Sequence, residues 1–313
     1  SSDRHSKVGQ GTKRVDTNSS MKTPAGLRPH DCLFLVYVII TGCVLLAGRL
    51  SSTLQIVLFA VHIVLCALPF VLSRVRDRDS FWWRFLARTY PFFLLLFFYR
   101  EIEILNDIAA SGYHDETALA LQKILGLTDF EKWLQTTFPY NWFEVLMSVG
   151  YFSFYFFLLI GGIPLAVQRR WNTLEKFVFQ VFFGFGVCYM VYIFYPILGP
   201  FFDLHPLGSF NGKDYMTQVT YTLVIVFGTR GAAFPSSHVA VAVQVFLLSC
   251  RWFRPSAYIL GPFAFLLTLS TIYGEYHYPV DAVTGVVAGV VLWAIAPYVN
   301  RLFERFCAEE SEV

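Results

Sequence analysis

Charged side chains are scarce in this chain of 313 residues, and the two signs nearly cancel. Asp, Glu, Lys and Arg together make up 15% of the sequence, whereas an ordinary soluble domain has about 25%. The formal net charge is +2, and no basic stripe is interleaved with aromatic residues. The composition therefore excludes the electrostatic pattern of a nucleic-acid-binding protein and does not suit a water-soluble globule.

Cysteine patterns that would indicate a metal centre are also missing. The six Cys residues lie within or beside apolar segments, and none has the CxxC or zinc-ligand spacing. Buried thiols in helices usually act as small apolar side chains, so these residues do not indicate a redox compartment. No internal repeat occurs, which excludes a solenoid.

Apolar residues are abundant instead. Hydrophobic residues make up 56% of the chain, 33 residues are Phe, and the mean hydropathy is +0.53. A membrane-spanning helix needs about 20 mostly apolar residues. We therefore predict an all-α protein, a polytopic transmembrane helical bundle of about eight spans, at 31–48, 54–73, 81–99, 142–168, 177–195, 235–250, 256–274 and 279–299.

The spans divide the chain into three regions. Residues 1–30 are polar and basic and are predicted to be a disordered tail. Residues 31–300 form the integral membrane domain, whose core is predicted at 142–300. Residues 301–313 are predicted to be a cytoplasmic tail.

Two segments between the spans do not cross the membrane in this prediction. The longest connection, 100–141, lies outside the membrane and has an amphipathic helical pattern at 117–136. It is interpreted either as a lid or as a solvated helix on the bilayer surface. The apolar residues 219–227 are too few to cross alone and suit a re-entrant or interfacial helix.

Basic residues orient the bundle, because Lys and Arg near span ends are retained on the cytoplasmic side. After the basic tail, the basic connections alternate with less basic ones. They contain Arg74, Arg76 and Arg78, then Arg169, Arg170 and Lys176, then Arg251 and Arg254, and finally Arg301 and Arg305. Both termini are therefore predicted to be cytoplasmic, and the segments around residues 238 and 277 to lie on the extracytoplasmic face, periplasmic or lumenal.

Two short polar stretches stand out against this apolar background. The first leads into the apolar span at 235–250 and reads Gly231-Ala232-Ala233-Phe234-Pro235-Ser236-Ser237-His238. It places His238 at a helix N-terminus, where free N–H groups and the helix dipole favour a phosphate-like anion. The second reads His277-Tyr278-Pro279-Val280-Asp281 and sets a carboxylate four residues after an imidazole, where it can fix the tautomer of the ring. We interpret the two stretches as one active site.

These stretches resemble the second and third motifs of the type 2 phosphatidic acid phosphatase superfamily. Within the superfamily the chain is most similar to the branch that contains the inositol phosphorylceramide synthases, over roughly residues 85–300. The specific part is His238 together with His277-x-x-x-Asp281. The weaker part comprises Pro91 to Tyr99, Glu144, Tyr151 and Tyr195-Pro196-x-x-Gly199-Pro200.

The resemblance implies a lipid phosphotransferase or phosphatase that works through a phosphohistidine. His277 would be the nucleophile, and Asp281 would hold its ring. His238 would protonate the leaving oxygen and later deprotonate the acceptor. No metal and no organic cofactor is implied.

The same resemblance suggests which residues would bind the substrate. The phosphoryl oxygens would be held by Ser236, Ser237 and the backbone amides beside them, with Arg230 and Lys213 as the nearest cations. The substrate cavity would be lined by Tyr195, Glu144 and Tyr151.

The sequence departs from the phosphatase pattern at two cationic positions. Phosphatases of the superfamily carry Lys and Arg before a proline in the first motif, where this chain has Tyr195-Pro196-Ile197-Leu198-Gly199-Pro200. They also carry Arg six residues before the nucleophilic histidine, where this chain has Thr271. A phosphodiester carries one negative charge and needs fewer cations in a partly dry site than a monoester, which is close to a dianion. The sequence therefore favours transfer of a phospho-head group from a glycerophospholipid to a lipid alcohol such as ceramide.

Other interpretations stay open at this point. The chain could be a metal-independent lipid phosphate phosphatase, which uses water as acceptor, or a non-catalytic lipid binder or transporter. Two His and one Asp could also hold a metal, with Glu275 nearby. Arg230 could anchor a loop to lipid phosphates, and Glu144 and Tyr151 could pack against a neighbouring helix. The expected partners are the bilayer and the lipid substrates, and no nucleic acid or obligatory protein partner is indicated.

Overall fold

A computed structural model describes residues 26–204 and 215–309, and this part of the chain is helical apart from short connections. The helices are, in order, α1 (Pro29–Ala47), α2 (Thr53–Ser73), α3 (Phe81–Ala109), α4 (Asp115–Ile124), α5 (Phe130–Thr137), α6 (Asn141–Phe152), α7 (Phe154–Val167), α8 (Trp171–Phe194), α9 (Pro200–Leu204), α10 (Tyr215–Phe227), α11 (Ser237–Trp252), α12 (Arg254–Tyr273) and α13 (Pro279–Glu309). The predicted all-α membrane bundle is confirmed.

Five helices in the described ranges are long and apolar enough to cross a membrane: α1, α2, α8, α12 and α13. Helices α6 and α7 pass the same test together as a sixth span, bent by 46°. The other two predicted spans are helices as well, but α3 carries charged residues and α11 has only 16 residues. Two charged residues of α3, Arg88 and Glu101, are compatible with a membrane setting because they are buried inside the bundle, whereas Arg100 and Asp107 near the end of the helix are exposed.

Helix α8 is the central element of the bundle. Of its apolar 18-residue stretch, 67% is buried inside the protein, compared with 28% for the corresponding stretches of α2 and α13. It packs against α1, α3, α7, α11 and α13. The peripheral helices expose their remaining apolar side chains, as expected for surfaces in contact with lipid.

Helices α11 and α13 approach each other closely at two glycines. A Cβ atom on Gly289 would lie 2.5 Å from the carbonyl oxygen of Ala240, and one on Gly285 would lie 2.8 Å from that of Ser236. Only glycine leaves room for backbone contacts this close, so Gly285-x-x-x-Gly289 is a helix-packing motif in this protein. The contact sets the N-terminal ends of α11 and α13 side by side.

A buried ionic cluster joins α1, α3, α8 and the connection between α2 and α3. Asp31 forms an ion pair with Arg76 and accepts a hydrogen bond of 3.1 Å from the Tyr90 hydroxyl. Arg88 lies 2.9 Å from Glu175 and donates to the backbone carbonyl of Arg76. All five side chains are buried or nearly so. Removing one partner of such a pair leaves an uncompensated charge, which costs about 3–5 kcal/mol.

Several predicted boundaries differ from the structure. Helix α3 continues to Ala109, ten residues past the predicted span end at 99, and in this extension Glu101 and Asn106 are buried whereas Arg100 and Asp107 are exposed. The single helix predicted at 117–136 is two short helices, α4 and α5, interrupted at Gly126, whose φ is +67°. Helix α1 begins at Pro29, inside the predicted tail, and α13 continues to Glu309, so the predicted terminal tail is largely helical. Residues 1–25 and 310–313 lie outside the described residues.

The α11–α13 contact predicts a stability difference between two glycine substitutions. Gly289→Ala forces the helices apart and should destabilise the protein by about 1–3 kcal/mol, as overpacking does. Gly186→Ala is the matched control, because its Cβ would meet only Tyr37 at an ordinary 3.7 Å. Unfolding of the purified proteins in detergent measures the difference, and equal stability of the two variants would contradict this packing.

Candidate active site

The two predicted histidines lie together at one end of the bundle. His238 is in the first turn of α11, His277 is in the connection between α12 and α13, and Asp281 is in the first turn of α13. The centroids of the two imidazole rings are 6.0 Å apart. The structure therefore brings the three residues together at one place, where the sequence analysis expects them.

Local hydrogen bonds position His277 and Asp281. The backbone N–H groups of Tyr276 and His277 both donate to the carbonyl of Thr271, 3.0 Å away, which closes the connection tightly after α12. An Asp281 carboxylate oxygen accepts from the backbone N–H of Tyr278 at 2.9 Å and lies 3.6 Å from Nδ1 of His277. The carboxylate is fully buried, so it faces the ring from a fixed direction.

Burial controls the protonation of His277. The side chain is 5% exposed, and burial lowers its pKa from the usual 6.5 to about 4, a hydrogen bond to the backbone carbonyl of Ala233 opposing this shift. The imidazole is therefore neutral near pH 7. A neutral ring keeps a nitrogen lone pair, which nucleophilic attack requires.

Aromatic side chains surround His238. Its ring centroid lies 4.4 Å from that of Phe154, 5.6 Å from that of Tyr151 and 6.3 Å from that of Tyr99. Its buried Nδ1 atom has no hydrogen-bond partner among the described residues. Tyr151 also contacts Tyr276, the residue before His277, so it bridges the surroundings of both histidines.

The turn before α11 uses several of its own polar groups to hold its shape. The Ser236 hydroxyl caps the helix by accepting from the backbone N–H of Val239, and the Ser236 N–H donates to the carbonyl of Asp281 at 3.0 Å. The Ser237 N–H donates to the Tyr192 hydroxyl, which in turn donates to the carbonyl of Pro235. Among the described residues, no hydrogen bond engages the hydroxyl of Ser237 or the N–H of His238.

Two glycines allow the loops at the site to meet. Residues Ile197 and Ala232 form a single parallel bridge, which joins the loop after α8 to the loop before α11. Gly199 and Gly231 have φ values of +83° and +84°, a region that favours glycine. A Cβ on Gly231 would also collide with Pro196, 2.8 Å away. The Tyr195–Pro200 segment is therefore a structural part of the site.

A cavity of about 50 Å³ lies between the two histidines, and two larger spaces adjoin it. An apolar cleft of about 220 Å³ shares His238, Tyr99 and Tyr155 with it and is lined mainly by aromatic and Leu side chains. A polar cavity of about 270 Å³ shares Tyr276 and is lined by Glu144, Glu275, Gln135 and several hydroxyl groups. The histidines thus lie where an apolar space and a polar space meet.

Cations lie beside this cavity, and its described lining residues include no Lys or Arg. Arg230 is exposed, and its backbone carbonyl accepts from the Asn106 side chain at 3.0 Å. Arg100 donates to the carbonyl of Gly228, in the loop that forms one wall. Thr271, at the position where phosphatases carry Arg, is fully buried and donates to Thr268 within α12. Lys213 lies outside the described residues.

Helices α4 and α5 cover the site from outside, and we call them the cap. Asp115 of the cap accepts hydrogen bonds from the backbone N–H groups of Leu198 and Gly199, at 2.9 and 3.0 Å, and from the Tyr278 hydroxyl at 3.3 Å. On the other side, Gln135 donates to the carbonyl of Tyr273 and to Glu275. The cap therefore holds both loops next to His277, which favours the lid interpretation over a helix resting on the bilayer.

Tyr195 belongs to the cap contact. Its ring stacks on His114 with centroids 4.1 Å apart, and its hydroxyl donates to Thr117. Of the other two predicted cavity residues, Tyr151 lines the space between the histidines and Glu144 lines the polar cavity. Sequence reasoning did not single out Asp115, since one carboxylate in a polar connection carries no distinguishing pattern.

The geometry defines a polytopic membrane protein with a paired-histidine site at one end of its bundle. The sequence model of the PAP2 superfamily matches residues 117–295, which is more than half of the chain and contains both histidines and Asp281. The chain belongs to the PAP2 superfamily and is a lipid enzyme of the phosphatase and phosphotransferase type. Comparisons with curated proteins and with solved structures give no match.

The buried state of His277 predicts a pH-dependent stability. The pKa of His277 is about 4 in the folded protein, below the ordinary 6.5 of the unfolded chain. Between these values the unfolded chain binds a proton that the folded protein does not, so the free energy of unfolding is highest above pH 6.5 and decreases as the pH falls towards 4. The wild-type protein should therefore lose more stability than His277→Gln on acidification from pH 7 to pH 5. Thermal unfolding at both pH values checks this, and parallel losses in the two proteins would contradict it.

The cap contact predicts a role for Asp115 in positioning. Asp115→Ala should lower lipid turnover by about 10- to 100-fold, because a misplacement of about 1 Å near the reacting atoms can cost that much. Hydrogen exchange in residues 110–137 should rise at the same time. The control is Glu116→Ala, an exposed neighbour in the same helix. Turnover that Asp115→Ala leaves unchanged would show that the cap does not position the site.

Proposed function

We propose that this enzyme is a lipid phosphotransferase, which moves a phospho-head group from a glycerophospholipid to a lipid alcohol such as ceramide. The observation that supports this best is the position of His238 and His277 between an apolar cleft and a polar cavity. A donor with a head group on one side of its phosphorus and acyl chains on the other fits such a junction.

In the first half of the reaction, His277 attacks phosphorus. For the attack, the ring proton is proposed to move to Nδ1, 3.6 Å from Asp281, so that the other ring nitrogen gives up its contact with the Ala233 carbonyl and uses its lone pair to form the N–P bond. The bond between phosphorus and the diacylglycerol oxygen breaks. His238, proposed to be protonated while the phosphate anion lies beside it, gives its proton to that oxygen. The products are diacylglycerol and a phosphohistidine that retains the head group.

In the second half, the acceptor hydroxyl attacks the phosphohistidine. His238, now neutral, takes the hydroxyl proton as the new P–O bond forms and the N–P bond breaks. The cycle ends with His277 free and His238 protonated again. The Ser237 hydroxyl and the His238 N–H are the groups proposed to hold the phosphoryl oxygens, as Ser236 caps α11. None of these steps requires a metal or an organic cofactor.

The sparse positive charge supports a diester donor over a phosphate monoester. The cavity between the histidines has no Lys or Arg among its described lining residues, and Arg100 and Arg230 lie beside it. A partly dry site with so few cations suits the single negative charge of a diester better than the nearly double charge of a monoester. Arg230 is proposed to contribute at long range, from the exposed rim.

The site is proposed to lie on the extracytoplasmic face, with both termini cytoplasmic. Arg251 and Arg254 lie at the end of α11 that is remote from the histidines, and Arg301 and Arg305 lie in the last third of α13, also remote from them. The positive-inside tendency places those ends in the cytoplasm and His277 on the opposite side. The donor would then be drawn from the outer or lumenal leaflet.

Purified enzyme tests the choice of acceptor directly. We expect labelled phosphatidylinositol plus ceramide to give a labelled sphingolipid, and labelled phosphatidic acid to give little inorganic phosphate. His277→Ala should abolish transfer. Release of phosphate from phosphatidic acid without any transfer product would identify a phosphatase instead, and turnover that survives His277→Ala would exclude the phosphohistidine.

The two histidines should also differ in their response to the leaving group. A p-nitrophenyl phosphodiester has a leaving oxygen that hardly needs a proton, so His238→Ala should retain far more activity on it than on a phospholipid. His277→Ala should be inactive on both, because it lacks the nucleophile. Release of nitrophenolate measures this, and equal losses for His238→Ala on both substrates would contradict the assigned role.

A further inference from the structure

A second cavity, of about 640 Å³, lies at the opposite end of the bundle from the histidines, between α8, α11 and α13. Arg251 is in the last turn of α11, about 20 Å from its beginning at Ser237, and Arg301 lies about 30 Å along α13 from Pro279. These lengths are close to the thickness of the hydrocarbon core of a bilayer. The cavity is therefore near the other membrane surface and separate from the catalytic site.

Positive charge dominates the lining of this cavity. Lys176, Arg251 and Arg301 line it together with one carboxylate, Glu304. Glu304 accepts a 2.8 Å hydrogen bond from the side-chain amide of Asn300, and within the described residues none of the three cations forms an ion pair. Arg301 lies over the Tyr298 ring, 4.7 Å from its centroid, and this contact leaves its charge without a carboxylate partner. Three cations of this kind around one concave space favour an anionic ligand.

The cavity also has a buried polar group and an apolar wall. Gln180 is 4% exposed, lines the cavity, and has a side-chain oxygen without a hydrogen-bond partner among the described residues. That oxygen can accept a hydrogen bond from a hydroxyl of a ligand. Leu248, Ala294 and Pro297 supply apolar wall, and the tryptophans Trp252 and Trp293 are of the type that anchors at membrane interfaces.

We propose that this cavity binds the phosphate head group of an anionic phospholipid from the leaflet opposite the active site. The three cations would hold the phosphate, Gln180 would hold a head-group hydroxyl, and the acyl chains would follow the apolar wall. A soluble phosphate ester could use the cations alone, but the apolar wall and the interfacial tryptophans have no role for it. This inference does not depend on the proposed reaction.

The test compares two lipids with the same chains, dioleoyl phosphatidylglycerol and dioleoyl phosphatidylcholine, by native mass spectrometry of the full chain in a nonionic detergent. Phosphatidylglycerol should be retained more tightly, and raised salt should weaken it. Replacing Lys176, Arg251 and Arg301 by Gln together should weaken its binding by about 100-fold, which is about fivefold for each cation. Arg301→Gln alone should weaken phosphatidylglycerol binding by about fivefold. This single variant still tests the site if the triple variant does not fold.

The matched control replaces three exposed arginines that do not line the cavity, Arg74, Arg78 and Arg254, by Gln, with the same loss of charge. This variant should retain phosphatidylglycerol like the wild type. The proposed site would be wrong if the protein retained the two lipids equally, or if the control variant lost as much phosphatidylglycerol binding as the triple variant of the cavity. Glycerol 3-phosphate should displace the lipid only weakly, and displacement at comparable concentrations would mean that the ligand is a soluble phosphate ester.

Discussion

The close backbone contact between α11 and α13 is the constraint on which the site depends. Gly285 and Gly289 let the two helices touch, and the Ser236 N–H donates to the Asp281 carbonyl where both helices begin. Each helix brings one half of the chemistry, His238 on one and Asp281 with the preceding His277 on the other. A separation of the helices by the width of a methyl group would move the two rings relative to any phosphorus atom between them.

The two sides of the histidine site differ in character: one side excludes water, and the other offers polar contacts for a substrate head group. Aromatic rings around His238 and the burial of Asp281 keep water away, which strengthens every remaining electrostatic interaction. The polar cavity and the cap lie on the other side, where Asp115 and Gln135 fix the loops by hydrogen bonds. A lipid substrate has the same division, with a head group that needs polar contacts and chains that need none.

The sequence was sufficient for the helical class and for the triad of His238, His277 and Asp281, because span length and motif spacing are local properties. It was less informative about α3, where the charge of Arg88 counts against a membrane span although this side chain is buried in the bundle. Asp115 could not be found, since its partners are backbone amides more than 80 residues away. Ser236 and Tyr195 show the same limit, because only packing determines whether a polar group faces substrate or another loop.

The ionic cluster of Asp31, Arg76, Arg88 and Glu175 bears on how the protein is made. Arg88 leaves the ribosome with α3, whereas its carboxylate partner Glu175 follows only with α8. Until α8 is inserted, the only carboxylate paired with Arg88 among the described residues is the largely exposed Asp77, 3.0 Å away, so the buried setting of Arg88 is completed only when α8 packs against α3. A shortened chain that starts at residue 117 would retain Glu175 but lack Arg88, its counter-charge. The first three helices are therefore needed to stabilise the segment that matches the superfamily.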